Sequence, residues 1–240
     1  MIKNLNPKYV FYSFLATEAL LLITDSLFNT LDIFNSLRLR HFFNLSEEWS
    51  LPSFFSSFQF LFIGILFTLI CREYKAKKSP KTLAWLFLGF FFFYLSIDDL
   101  FSIHEQLGSS FKGDYLFPLI REIRGLPYLI MDKINSWGWH FIFGPIYALI
   151  GTIMFFFLKG ELNSKKAKIF LFSGLSLFAI AMSIDYVEGI PMLLRNLHDG
   201  AQYDYYYFYH AFTFTEEALE MLGASFLIYS LSIKLCKEIN

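Results

Sequence analysis

Six runs of about 20 mostly apolar residues recur along the chain, and they restrict its fold more than any other feature. A helix of about 20 such residues crosses roughly 30 Å of hydrocarbon, where every backbone N–H and C=O must find its partner inside the segment. The runs fall at about 9–31, 53–71, 82–103, 137–158, 167–190 and 209–235, and they predict an all-α polytopic membrane bundle. No Gly/Ser-rich or Pro-rich linker divides them, so residues 1–240 read as a single transmembrane helical domain. Only 17% of residues are charged, against about 25% in soluble domains, so membrane lipid is the expected partner of most of the surface. No basic patch interleaved with aromatics offers a nucleic-acid site. Glu18 and Asp25 lie inside the first run, and no small-x-small cleavage motif follows it, which favours a retained span over a signal peptide.

The distribution of Lys and Arg orients the bundle. Arg72, Lys75, Lys77, Lys78 and Lys81 follow the second run, and Lys159, Lys165, Lys166 and Lys168 follow the fourth. Both segments belong in the cytosol by the positive-inside rule. With six crossings, Lys3, Lys8, Lys234 and Lys237 fall on the same side, so both termini are expected there. That side holds 13 of the 20 Lys and Arg but only Glu73, Glu161 and Glu238 among the 21 acids, a net of +10 against −11 outside. All five histidines fall on the outer side, whereas Cys71 and Cys236 sit at the cytosolic face. A multi-pass protein of the cell membrane, in a bacterium the inner membrane, is the expected setting.

Many outer acids lie within the spans, where a charge costs about 2.5 to 3.5 kcal/mol at a helix centre and marks function. Glu18, Asp25 and Asp32 repeat every seven residues on one face of the first helix. The third run ends in Asp98, Asp99, His104 and Glu105, with Ser96 just before them. The fourth opens on Trp137, Trp139 and His140 and carries Gly144-Pro145, an expected kink. The fifth closes on Asp185 and Glu188, and the sixth runs through His210, Thr213, Glu216, Glu217 and Glu220. Because the helices alternate in direction, these polar ends should meet at one level. A single acid or threonine there can be interhelical glue, and His41 and His198 read as loop residues, but glue does not account for seven carboxylates and three histidines at one depth. Arg121, Arg124 and Arg195 are the few cations nearby, so protons or a metal must neutralise the rest.

Histidine with carboxylate is the ligand set of Zn, Mn or non-haem Fe. The expected ligands of a divalent metal are His104, His140, His210, Asp98, Asp99, Glu217 and Glu220, with Glu105, Glu188 and Asp185 as catalytic acids or bases. Ser96, Asp98 and the trio His104, His140 and His210 are similar in kind to the residues of the alkaline ceramidase and adiponectin-receptor membrane hydrolases. That family's histidines four apart on its last helix have no counterpart here, so the likeness is one of analogy. Leu51-Pro52 with Phe54-Phe55-Ser56-Ser57, Ser96-Ile97-Asp98-Asp99 with His104-Glu105, and Glu216-Glu217-Ala218-Leu219-Glu220-Met221-Leu222-Gly223 resemble a group of bacterial polytopic membrane proteins of unassigned function. That resemblance implies a fold of about six spans and no activity.

The expectation is therefore a metal-dependent membrane enzyme, hydrolase-like, acting on a lipid or amphiphile from an outward pocket. The alternatives are a proton- or ion-coupled transporter and a non-catalytic cation-binding sensor or assembly factor.

Overall fold

The computed structural model describes residues 6–31, 33, 36–111, 138–190 and 202–239. Among them are eight α-helices: α1 (Pro7–Asp25), α2 (Leu37–Phe43), α3 (Leu51–Ala76), α4 (Thr82–Phe101), α5 (Ile103–Phe111), α6 (Trp139–Glu161), α7 (Lys165–Glu188) and α8 (Gln202–Ile239). Six helical segments are long and apolar enough to cross a membrane, at Pro7–Thr30, Leu51–Ala76, Thr82–Phe101, Trp139–Glu161, Lys165–Glu188 and Tyr209–Lys237. The chain is a multi-pass membrane protein. Large apolar side chains such as Leu83, Phe90, Phe156 and Phe172 stand exposed on the outside of the bundle, as lipid-facing residues do.

Local sequence explains where the helices begin and stop. Asn6 caps α1 by accepting the Lys8 N–H, and Ser50 caps α3 by accepting that of Ser53, each followed by a proline in the first turn. A π turn over Ser26–Thr30 extends α1. The third span differs from its expected course of 82–103: α4 stops at Phe101 because Ser102 takes the left-handed conformation (φ 46°), and α5 starts afresh. The Asp98 carboxylate compensates for this break by accepting the backbone N–H of His104 at 2.9 Å, so it caps the new helix.

α8 is the axis of the bundle and packs against α7, α3 and α1, while α4 lies on α3 and α6 adjoins α5 and α7. Small residues let the backbones close. A Cβ placed on Gly174 of α7 would stand 2.9 Å from the carbonyl oxygen of Gly223 on α8, and one on Gly223 would stand 3.1 Å from that of Gly174. Such approach is how membrane helices gain van der Waals contact where lipid supplies no hydrophobic drive. Polar ties add to it. Ser57 and Ser96 each donate to the other's carbonyl, at 2.7 and 2.8 Å, joining α3 to α4. Glu18 accepts from Gln59 at 2.8 Å and from the Ser225 hydroxyl, joining α1, α3 and α8.

The two ends of the bundle are built differently. Ile63, Phe67, Ile70, Trp85, Leu158, Leu171, Leu227 and Leu231 form a close-packed core in the middle and the basic half. That end is fastened by Glu161, whose carboxylate accepts from Lys81 and Tyr74 at 2.5 Å each and whose carbonyl accepts from Lys234 at 2.7 Å. The acidic half is hollow.

Candidate functional site

A cavity of about 500 Å³ opens between α4, α6, α7 and α8 in the acidic half, within the roughly 300 to 1,000 Å³ of small-molecule sites. Its upper wall is carboxylate: Asp98 and Asp99 from α4, Glu105 from α5, Asp185 and Glu188 from α7, and Glu216, Glu217 and Glu220 from α8. Below this tier the wall is apolar, made of Phe91, Leu95, Met154, Leu175, Phe178 and Leu227. A polar mouth therefore stands over a greasy shaft.

Asp98 organises the mouth. Buried at 2% exposure, it accepts the Tyr94 hydroxyl at 3.2 Å and the Tyr147 hydroxyl at 2.9 Å, and its Oδ2 lies 2.7 Å from His104 Nδ1. This engages Nδ1 of the imidazole and leaves Nε2 as the nitrogen for chemistry. Burial disfavours the His104 imidazolium, but the hydrogen bond and charge of Asp98 outweigh it and raise the group above its ordinary value. Partial burial, with the charges of Asp185, Glu48 and Asp98, likewise raises Glu105 against the opposing pull of His104. The ring of His104 also meets Trp139 edge-on, centroids 4.8 Å apart, which holds α5 to the start of α6.

Of the expected site residues, Asp98, Asp99, His104, Glu105, Asp185, Glu188, Glu217 and Glu220 line the one cavity. His140 and His210 are not part of that lining. His140 Nε2 stands 3.2 Å from Asp185 Oδ2, and its ring stacks on Trp139 at 4.0 Å. His210 Nε2 stands 3.0 Å from Oδ2 of Asp25. Asp25, fully buried, also accepts from Asn29 and from the Leu45 backbone, each at 3.0 Å. His210 thus ties α8 to the end of α1 and to the loop before α3, and that loop brings Glu47 and Glu48 to the cavity mouth. Ser96 is spent on the α3–α4 tie. Each of the three histidines pairs with its own aspartate, and no group of three or more His, Cys, Asp or Glu among the described residues stands ready around a metal position. Asp32, Trp137, Arg121, Arg124, Arg195 and His198 lie outside the described residues.

Sequence reasoning did not find Glu47, Glu48, Tyr94 and Tyr147. The loop acids carried no signal, and the tyrosines are indistinguishable from an interfacial aromatic belt until Asp98 is seen between them. Glu216 joins Glu217 and Glu220 in the wall.

The model of a family described as a domain of unknown function (DUF8692) matches residues 14–234. The chain belongs to that family. The match takes in every residue of the cavity wall, so mouth and shaft both lie within the DUF8692 domain. Comparison with curated proteins and with solved structures gives no match, so the analogy to the ceramidase and adiponectin-receptor hydrolases rests on residue types alone.

Chemically, the His104–Asp98 pair is suited to general acid and base work through Nε2, and the carboxylate tier is suited to a cation. The shaft is suited to an apolar chain.

Proposed function

We propose that this chain is a metal-dependent membrane enzyme acting on an amphiphile whose head sits among the carboxylates and whose tail lies in the shaft. The observation that supports this reading is the single cavity in which acids from three spans and from α5, with His104, stand above an apolar floor. Ten carboxylates around one imidazole repel one another unless positive charge or protons enter. A divalent ion, Zn, Mn or Fe, supplies that charge and lowers the pKa of a bound water toward neutrality. Glu217 and Glu220, at i and i+3 on α8, and Asp99 on α4 are the residues that would hold it, with His104 taking and returning the proton. The carboxylates line a cavity rather than surround a point, so holding the ion would require them to move inward.

The outer face of a cell membrane is the setting that suits the excess of acids at this end. Elemental analysis of the purified protein tests the reading. One divalent ion per chain is expected, with Glu217→Gln and Glu220→Gln each lowering occupancy at least tenfold. A wild type that carries no stoichiometric metal after supplementation sinks the metal. The one-to-one pairing of the histidines with aspartates favours a second reading, in which the guest itself brings the positive charge and no metal is used.

A further inference from the structure

The shaft below the carboxylates has a length that four helices report independently. From Asp98 to Phe91 on α4, and from Tyr147 to Met154 on α6, are seven residues, or about 10 Å. From Asp185 to Leu175 on α7, and from Glu217 to Leu227 on α8, are ten residues, or about 15 Å. A C–C bond of about 1.5 Å in a staggered chain advances about 1.25 Å per carbon, so the shaft accommodates about 8 to 12 carbons.

Two further observations point to a ligand. Gly151 lies in the wall between Tyr147 and Met154, and a Cβ built on it meets nothing within 4 Å. The glycine is therefore not required for close packing between helices; it leaves space in the shaft. At the mouth, Glu188 is 6% exposed and uses one oxygen to accept from Thr213 at 3.0 Å, while its Oε2 is buried without a hydrogen-bond partner among the described residues. Asp99 Oδ2 is in the same condition. Asp99 and Glu188 both line the cavity, and these two buried oxygens gain a donor if the side chains turn toward one carried by the guest.

We propose that the cavity binds a single-chain amphiphile with an amine or ammonium head and an alkyl chain of about 8 to 12 carbons, and that Gly151 sets how far the chain reaches. The proposal rests on this cavity being the working site and not on the metal. The head donates to Asp99 and Glu188 and offsets the acid tier, while Tyr147 beside it favours a cation near its ring. The tail runs down the apolar wall to Met154, Leu175 and Leu227. An anionic head of the same chain length meets the carboxylates and is excluded.

The test uses the full chain in phosphatidylcholine nanodiscs with a chelator present. The probes are decylamine and hexylamine, each carrying a terminal diazirine, and the decyl phosphate equivalent, with label positions read by mass spectrometry. Decylamine should label Met154, Leu175 or Leu227 in a saturable manner, and decyl phosphate should label these positions at least tenfold less. Gly151→Phe should reduce floor labelling by decylamine at least tenfold while hexylamine still labels the upper wall near Tyr147, which also shows that the variant is folded. If Gly151→Phe does not fold, Leu175→Trp at the floor repeats the comparison. Labelling restricted to lipid-facing positions such as Phe156 and Phe172, insensitivity to both substitutions, or equal labelling by the phosphate overturns the proposal. Labelling that appears only without chelator also overturns it, because a metal then holds the head, whereas a metal-free wild type that still takes up decylamine fails the enzyme reading alone.

Discussion

Asp98 shows how one side chain holds two tasks. Its carboxylate caps α5 across the break at Ser102 and at the same time fixes His104 through Nδ1. Because His104 is raised above its ordinary value, the folded state binds its proton more tightly than the unfolded chain does. The stability from this pair is complete below about pH 6.5, the unfolded value, and is lost as pH rises through the higher folded value. Thermal unfolding of the detergent-solubilised protein should therefore show a midpoint that falls from pH 6 to pH 9. His104→Gln should flatten that part of the profile. A profile equally steep in His104→Gln would assign the pH dependence to other groups. Asp25 works in the same manner for the rest of the mouth, since through His210, Asn29 and the Leu45 N–H it decides where the acidic loop lies.

Among the elements, the crossing of α7 and α8 is the most sensitive to side-chain size. Gly174→Val pushes two methyls toward a backbone carbonyl that cannot turn aside, the distance from a Cβ to Gly223 O being already 2.9 Å. Overpacking of this kind costs about 1 to 3 kcal/mol. Gly160→Ala, where a Cβ meets nothing within 4 Å, should instead be neutral or gain up to about 1 kcal/mol of helix propensity. Unfolding of both variants in a denaturing detergent series gives the comparison. Equal effects would mean that the helices are not in the contact described. Since α7 and α8 carry five of the ten acids that line the cavity, loosening this crossing should also weaken whatever the cavity holds.

For the whole molecule, the notable division is between a close-packed basic half and a hollow acidic half. Lys81, Tyr74, Lys234 and Glu161 draw the α3–α4 connection, the end of α6 and α8 together at the basic end, and the core above them is continuous up to the floor of the shaft. A bundle built this way is rigid where nothing needs to enter and open where the acids gather. The charge asymmetry predicts that the basic end faces the cytosol. A reporter of extracytoplasmic exposure inserted within 106–110 should be active, and one within 77–80 or 162–164 should be silent. The reverse pattern would place the cavity on the other side of the membrane and remove the outer-face setting proposed for it.

The six spans, their alternating direction and the gathering of acids at one end follow from the sequence, because hydropathy and helical rise act on each segment separately. The face on which Glu217 and Glu220 lie is also legible, since a period of 3.6 determines which residues share a stripe. What each stripe looks at is not. Three histidines at one depth read alike along the chain, yet packing gives His104 to Asp98, His140 to Asp185 and His210 to Asp25, the last pair 185 residues apart. The rotation of each helix about its own axis, and the choice of neighbour, depend on contacts such as Gly174 against Gly223 that form only when all the helices are present. The same contacts close the basic half and leave a cavity beside Gly151, and a cavity has no signature in a sequence because it is made by the residues that pack around it.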